Sequence, residues 1–190
     1  MDGSRRLSQA IAEGDGISVL VEVSDAAGAQ AARDQGAEGL VVRHHPGTIR
    51  ESVDLPLLAF GRADDLGGID AVVFDVAEHG DSLHEVIDAA HARGLECVLR
   101  VRDEDELEEV LGLVDPEILL LSVGEADDGQ PPLEHLLDLL PDVPAGKLAI
   151  AELAGASRAD VLELERAGVD AVIVSGSDIG SLVGDTLPDL

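Results

Sequence analysis

Eight short apolar runs recur along the chain, and they constrain the fold more than any other feature of the sequence. Each run is six or seven residues long, is rich in Val, Ile and Leu, and is bounded by Gly, Asp or Pro. A nearly continuous apolar run of this length indicates a strand buried on both faces, as strands of a parallel sheet are. The predicted strands cover residues 17–23, 39–44, 55–60, 70–76, 96–101, 117–123, 147–153 and 170–176.

Amphipathic stretches lie between several of these runs and predict helices. Residues 81–94 place apolar side chains on one face and end at Gly94, a residue typical of helix C-termini. Residues 103–114 begin with acidic side chains, which stabilise a helix N-terminus. Residues 157–168 begin at Ser157, a good N-cap, and end at a glycine. The apolar face of the first helix consists of Leu83, Val86, Ile87 and Ala90.

This alternation of eight strands with helices predicts an α/β fold, a minimal (β/α)8 TIM barrel formed by residues 1–190 as one domain. A doubly wound sheet is the alternative, but eight strands in so short a chain favour a closed barrel. The connections after strands 2 and 3, residues 45–54 and 61–68, are too short or too broken by Gly and Pro for full helices. We therefore expect those two helices to be shortened or absent.

Short connections would leave strands 2 to 4 without their usual outer cover. An exposed apolar patch of that kind tends to be buried in an interface, so we predict a homo-oligomer that packs through the strand 2–4 side. The alternative is that the short loops and the N-terminal segment, residues 5–12, cover these strands within one chain.

The charge excludes several kinds of partner. The chain carries 40 acidic against 12 basic residues, for a net charge of −28, whereas a nucleic-acid-binding protein needs the opposite sign. An anionic membrane would repel the chain for the same reason. The acidic excess is typical of a salt-adapted protein, and the codon bias of a GC-rich genome explains it equally well.

Location and covalent chemistry follow from what the sequence contains. No apolar run approaches the roughly 20 residues that a membrane span needs. The N-terminus has no hydrophobic region of the kind a signal peptide requires. Cys97 is the only cysteine, so neither an internal disulfide nor a cysteine-based zinc site is possible. We expect a cytoplasmic protein without a cofactor.

From the fourth predicted strand onward the chain resembles the indole-3-glycerol-phosphate synthase family of phosphate-binding TIM barrels. The residues that carry the resemblance are "GIDAVVFDVAEHGDSLHEVIDAAHARGLECVLRVRDEDELEEVLGL" and "IAELAGASRADVLELERAGVDAVIVSGSDIG". The first strand, "VLVEVSDA", is also similar. The resemblance implies a ring-closing decarboxylase of tryptophan biosynthesis, a carbon–carbon lyase, whose catalytic groups lie at the C-terminal ends of the strands.

The resemblance assigns catalytic positions one by one. Glu22 and Glu152 match two glutamates of the family. The positions of the family's two lysines hold Ser24 and, approximately, Phe60. Arg100 stands where the family has its second catalytic glutamate.

The resemblance also implies a binding site for the substrate and its phosphate. Ser122 corresponds to an asparagine at strand 6, and Leu153 to a serine after strand 7. Glycine-rich loops after strands 7 and 8 bind the phosphate in the family. The corresponding residues are Gly155, one place out of register, and Ser175, Gly176 and Ser177.

The chain has a single lysine, and the position of that lysine argues against the family reaction. Lys147 lies at the start of strand 7, on the end of the barrel opposite the chemistry. The reaction needs a general acid, and neither arginine, serine nor phenylalanine can replace lysine in that role. The N-terminal extension that caps the family's active site has no counterpart here. We therefore expect a degenerate, catalytically impaired member of the family.

Two hypotheses stay open at this point. The first is a divergent enzyme or binder for a phosphorylated small molecule, with Arg43 and Arg100 as anion-binding groups. The second is a non-catalytic relative in which Arg100 pairs with Glu22 or Glu152 and neutralises the buried charge left by a lost active site. His44, His45 and Asp75 suggest a metal site, but only one of two adjacent histidines can face the barrel and no HxH or HxxxH spacing is present, so no metal site is predicted.

Overall fold

The computed structural model describes residues 6–14, 16–43, 46–61, 67–124, 129–176 and 179–183. All strands are parallel and pair in chain order, and the last strand pairs back to the first to close an eight-stranded barrel. The predicted (β/α)8 TIM barrel is thus confirmed. The strands are β1 (Ser18–Glu22), β2 (Gly39–Val42), β3 (Leu57–Phe60), β4 (Ala71–Asp75), β5 (Glu96–Val101), β6 (Ile118–Leu121), β7 (Leu148–Glu152) and β8 (Ala171–Ser175).

Helices alternate with the strands along most of the chain. They are α1 (Leu7–Ala12), α2 (Ala26–Asp34), α3 (Ile49–Ser52), α4 (Val76–His79), α5 (Leu83–Ala92), α6 (Glu104–Leu113), α7 (Pro132–Leu139) and α8 (Arg158–Ala167). The three helices predicted from amphipathic periodicity are α5, α6 and α8. Ser157 and Asp160 form a reciprocal capping box at the start of α8, and Gly168 ends that helix with a left-handed φ of 101°.

Every second strand residue points into the barrel and the others point outward, because side chains alternate along a strand. The inward side chains form one buried apolar cluster, which fills the barrel as a packed core. Its strand members are Leu20, Val41, Leu58, Ala71, Val73, Val98, Ile118, Leu120, Ile150, Ala171 and Ile173.

Helix α1 closes the bottom of the barrel, the end where the strands begin. Leu7 and Ile11 of this helix belong to the interior cluster and are nearly inaccessible to solvent. The Ser8 backbone N–H donates to Glu96 Oε2 at 3.2 Å, and the Ser8 hydroxyl donates to the other oxygen of the same carboxylate. Glu96 therefore satisfies a free N–H in the first turn of α1 and holds the helix in place.

The connection after β2 is as short as predicted, and one arginine holds it. Helix α3 has only four residues. Arg50 Nε donates to the Gly68 carbonyl at 2.8 Å, its Nη1 donates to the Leu55 carbonyl at 3.2 Å, and its Nη2 pairs with Asp70. Asp70 Oδ2 also accepts from the Leu57 backbone N–H at 2.9 Å. This Arg50 staple joins the connections on both sides of β3. After β3, the described residues of the connection contain no helix.

The expected bare face on strands 2 to 4 is not found among the described residues. The outward side chains Leu40, Val42, Leu57 and Ala59 are at most 1% exposed within a single chain. They belong to the same apolar cluster as Ile49, Val53 and Ile69, which lie in the short connections. The described residues of the short connections thus help to cover these strands within one chain, which is the alternative stated from the sequence. The oligomer itself stays an untested prediction.

In the described part of the chain, no helix is both long enough and apolar enough to cross a membrane.

Candidate functional site

The polar side chains gather at the barrel mouth, the end where the strands finish. Side chains alternate along a strand, so the residue two positions after the last apolar interior residue also points inward. For each of the eight strands that residue is polar or aromatic. The inward residues of the mouth are Glu22, Arg43, Phe60, Asp75, Arg100, Ser122, Glu152 and Ser175. The sequence-predicted site residues Glu22, Glu152, Arg100, Ser122 and Ser175 thus share one end of the barrel.

Arg43 contacts both of the glutamates that the family resemblance assigns as catalytic. Its Nε lies 3.0 Å from Glu22 Oε2, and its Nη2 donates to Glu152 Oε1 at 2.5 Å. Its guanidinium carbon also lies 4.3 Å from the centre of the Phe60 ring, in cation–π geometry. Arg43 therefore forms ion pairs with both glutamates, and its guanidinium lies over the face of the Phe60 ring.

The surroundings of Arg43 keep it charged. Burial lowers the pKa of Arg43, but the hydrogen bonds and charges of Glu152 and Glu22 raise that pKa by more. The net result is a pKa above the ordinary value. Arg43 is thus a fixed cation and cannot serve as a proton donor.

Arg100 makes a looser set of contacts. Its Nε donates to the buried Ser122 hydroxyl at 2.9 Å. Its Nη2 lies 3.5 Å from Glu152 Oε2, close enough for an ion pair but without a hydrogen bond. Of the two partners proposed for Arg100 from the sequence, the structure therefore selects Glu152. Glu152 Oε2 itself is buried and has no hydrogen-bond partner among the described residues.

A second charged network lies beside the first, at the ends of β4 and β5. Arg102 pairs with Asp75 through both guanidinium nitrogens, and its Nη1 also donates to Glu106 at 2.9 Å. Asp75 in turn caps α4 by accepting from the Ala77 N–H at 3.2 Å. Burial lowers the pKa of Arg102, and the hydrogen bonds and charges of Asp75 and Glu106 raise it above its ordinary value. This network ties α4 and α6 to the mouth.

The residues that the family resemblance assigns to phosphate lie at and after the ends of β7 and β8. The Ser175 hydroxyl donates to Glu22 Oε2 at 3.3 Å, so this side chain serves the carboxylate. Gly155 and Gly176 are exposed in the turns that follow β7 and β8. Ser177 lies outside the described residues, so the second loop is only partly defined. The assignment of these residues to phosphate remains a prediction.

The single lysine lies at the far end of the barrel. Lys147 directly precedes β7, and its Nζ pairs with Asp115 next to the start of β6. Because Lys147 is the only lysine of the chain, no lysine side chain lies at the mouth.

Other candidate chemistry is limited within the described residues. No group of three or more His, Cys, Asp or Glu side chains there is arranged to hold a metal ion. His44 and His45 lie outside the described residues. Burial, and then the charge of Glu96, raises the pKa of the Cys97 thiol to about 12. This thiol stays protonated at neutral pH and is a poor nucleophile.

Two features of the mouth were missed by sequence reasoning. Arg43 was considered as an anion-binding group and not as a bridge between Glu22 and Glu152. Phe60 was considered only as the residue in a lysine position, although it packs under Arg43 and lies 5.8 Å from the Arg100 guanidinium. The scarcity of aromatic residues was the one sequence feature that could have drawn attention to Phe60, since the chain has two Phe and no Tyr or Trp.

Sequence comparison links the chain to indole-3-glycerol phosphate synthases. The chain is 32% identical to that of Variovorax paradoxus (strain S110) over 179 residues, which cover 88% of the chain and 64% of the relative. It is 29% identical to that of Geobacillus sp. (strain WCH70) over 111 residues, 58% of the chain and 43% of the relative. It is 28% identical to that of Shouchella clausii (strain KSM-K16) over 108 residues, 56% and 42%. The chain thus spans less than two thirds of the length of each of these relatives.

Structural comparison supports the fold. An N-acetylmannosamine-6-phosphate 2-epimerase from Clostridium perfringens matches with a TM-score of 0.65 and 16% identity, over 84% of this chain and 86% of the epimerase. At that identity the likeness concerns the fold alone. No protein-family model matches the chain. Together the comparisons support a place among the phosphate-binding TIM barrels, and not one particular family within them.

Proposed function

We propose that this chain is a degenerate relative of the indole-3-glycerol phosphate synthases that does not carry out their ring-closing decarboxylation. The observation that carries the proposal is that Arg43 bonds both Glu22 and Glu152, the two carboxylates that match catalytic glutamates of the family. Each carboxylate would have to give up its contact with Arg43 before that oxygen could bond a substrate.

The missing general acid supports the same proposal. Lys147 pairs with Asp115 at the bottom of the barrel, with the packed interior between it and the mouth. The two positions where the family has lysines hold Ser24 and Phe60, and neither side chain donates a proton at neutral pH. Lyase activity and a role in tryptophan biosynthesis are therefore not expected, even though the sequence similarity points to that pathway.

The test is an assay for the indole product, using the Geobacillus relative as the active control. Indole fluorescence reports product directly, because the chain contains no Trp or Tyr. We expect no turnover above the uncatalysed rate. Turnover by this chain that Glu152→Gln abolishes would show that the carboxylate still works, and the proposal would then be wrong.

A second candidate, binding of a phosphorylated small molecule at the mouth, rests on how the charges are distributed. Arg43, Arg100 and Arg102 are three of only 12 basic residues, and all three lie at the mouth. Within the described residues they pair with four carboxylates, those of Glu22, Glu152, Asp75 and Glu106, in a chain of net charge −28. These three guanidiniums offset the repulsion that so acidic a chain exerts on a small anion.

Calorimetric titration with inorganic phosphate and with sugar phosphates tests this candidate. We expect saturable binding that Arg43→Gln weakens roughly tenfold, because a guanidinium–phosphate hydrogen bond is charge-assisted. Arg33→Gln is the matched control, since Arg33 is exposed and pairs only with its neighbour Asp34 among the described residues. Equal affinity in both variants would place the bound anion elsewhere.

The cytoplasmic location of the chain stays a prediction.

A further inference from the structure

A cleft of about 470 Å³ lies on the outer side of the barrel wall, away from the strand ends that form the mouth. One of its sides is the face of α5 that carries Ile87 and Asp88, and the other is the segment of residues 114–117 that joins α6 to β6. The first residues of β5 and β6 lie at its base. Small-molecule sites commonly have volumes of about 300–1,000 Å³, so this outer cleft has room for a small ligand.

The base of the outer cleft is apolar. Cys97 and Leu99 of β5 belong to the buried cluster between strands and helices. Pro116 is also buried, and Leu95 and Val114 are partly buried. These surfaces favour the apolar body of a ligand, because covering them removes apolar area from water.

Acidic side chains surround this base, and two of them have no partner among the described residues. The four acidic residues that line the cleft are Asp88, Glu96, Asp115 and Glu117. Glu96 accepts hydrogen bonds from Ser8, and Asp115 pairs with Lys147. The carboxylates of Asp88 and Glu117 are exposed and make no hydrogen bond or ion pair with any described residue. Since Asp88 lies on the α5 side and Glu117 on the opposite side, a ligand in the cleft meets an unpaired carboxylate on each side.

The charges of the outer cleft favour a cation. Arg6 is the one permanent cation among the described residues that line it, against four carboxylates. Charge complementarity therefore attracts cations to the cleft and repels anions. Unpaired carboxylates are common in a chain with 40 acidic residues, but here they border an apolar base. That combination favours a cation with an apolar body over a bare ion.

The histidines at the rim do not make the cleft a metal site. His84, Asp88 and His91 follow one another on α5 at spacings of four and three residues, which places them on one face of the helix. In the described part of the chain, however, no three His, Cys, Asp or Glu side chains are arranged to hold a metal ion. An organic cation fits the cleft better, because it also uses the apolar base.

We propose that the outer cleft binds a small organic amine with an aliphatic body. Asp88 and Glu117 attract the ammonium group, and the body packs on the apolar base against Leu95 and Val114. The site goes beyond the proposed function, since it needs neither the family reaction nor an anion at the mouth. A small anion, the candidate ligand of the mouth, is repelled here.

Cyclohexylamine is the probe, followed by backbone amide NMR on the full chain at low salt. We expect saturable shifts at Leu95, Glu96, Val114 and Glu117. Methylamine has the charge without the body, and cyclohexanol has the body without the charge, so each should bind at least about fivefold more weakly. Cyclohexylamine binding no tighter than both would overturn the proposal, as would shifts confined to residues outside the cleft.

Two pairs of substitutions separate the cleft from the general acidity of the chain. Asp88→Asn combined with Glu117→Gln should weaken cyclohexylamine about fivefold and leave cyclohexanol unchanged, which loss of fold would not do. Glu85→Gln combined with Glu109→Gln is the matched control, because it removes the same charge from exposed positions outside the cleft. This control should retain cyclohexylamine binding. Equal affinities in the two double variants would show that the amine follows the net charge of the chain, and the proposal would then be wrong.

Salt gives an independent measurement. Because salt screens exposed charges, raising its concentration should weaken cyclohexylamine binding and leave cyclohexanol binding unchanged. In the Asp88→Asn, Glu117→Gln variant this dependence on salt should largely disappear. A dependence on salt as strong in that variant as in the wild type would overturn the assignment of the ammonium group to these two carboxylates.

Discussion

The two ends of the barrel both carry charged side chains, but they use them in different ways. At the bottom three charged groups bond parts of the chain that must stay together: Arg50 joins two connections, Glu96 holds α1, and Lys147 pairs with Asp115. At the mouth one arginine pairs with two glutamates, and another has donors without a hydrogen bond beside a carboxylate oxygen that accepts none from the described residues. The bottom is built for stability, and the mouth retains groups that the fold alone does not need.

The largest effect on stability is expected at the plug of the bottom end. Leu7→Ala removes a fully buried side chain from the interior cluster and should lower the free energy of unfolding by about 3 kcal/mol. Urea unfolding measures the change. The exposed Gln9 on the same helix is the control, and Gln9→Ala should change stability by less than about 0.5 kcal/mol. Similar values for both variants would mean that α1 does not close the barrel.

The Arg50 staple should follow in size. Arg50→Ala leaves Asp70 and two carbonyl oxygens without their donor and should destabilise the chain by about 2 kcal/mol in the same unfolding experiment. Arg33→Ala removes an exposed arginine whose ion pair is worth little, so it should be nearly neutral. If Arg50→Ala were as mild as this control, packing alone would hold the short connections.

The mouth should tolerate a comparable change better. Arg43→Gln should lower the free energy of unfolding by about 1 kcal/mol, a value reduced for solvent screening because Arg43 is partly exposed. Because the pKa of Arg43 is raised, its contribution is fully present below the ordinary arginine pKa and is lost only above it, so the difference from wild type should be constant between about pH 7 and 10. A loss as large as that of Arg50→Ala would remove the contrast between the two ends.

Ionisation of the Cys97 thiol should have the smallest effect on the free energy of unfolding at neutral pH. The folded pKa of its thiol, about 12, is above that of the unfolded chain, so its contribution is complete below the unfolded pKa and falls as the pH rises toward 12. At pH 8 a thiol reagent should label the unfolded chain rapidly and the folded chain slowly. Equal labelling rates would show that the start of β5 is open to solvent.

The barrel itself could be predicted because parallel strands buried on both faces leave a distinctive apolar pattern. All eight strands lie within their predicted ranges and end one or two residues earlier in several cases. Helices α5, α6 and α8 were predicted from periodicity and end residues. Helix α2 buries only two alanines and α1 has only six residues, so their apolar faces are small and neither helix was predicted.

The site could be predicted only in part, because strand parity places a side chain in the barrel but not beside a given neighbour. Glu22, Arg100 and Glu152 were assigned to the mouth correctly, and one of the two proposed partners of Arg100 is found. The bridge by Arg43 depends on how β2 faces β1 and β7 across the closed barrel, which the stagger of the strands decides.

The Arg50 staple has a consequence for how small such a barrel can be. Ordering the backbone of an outer helix costs roughly 1–2 kcal/mol of conformational entropy per residue, which the burial it provides must offset. Here a four-residue turn covers the strand and a single guanidinium fixes three separate acceptors around it. A shortened barrel can therefore exchange a helix for a few directed hydrogen bonds, and designers who trim other barrels could graft the same arginine–aspartate arrangement between neighbouring connections.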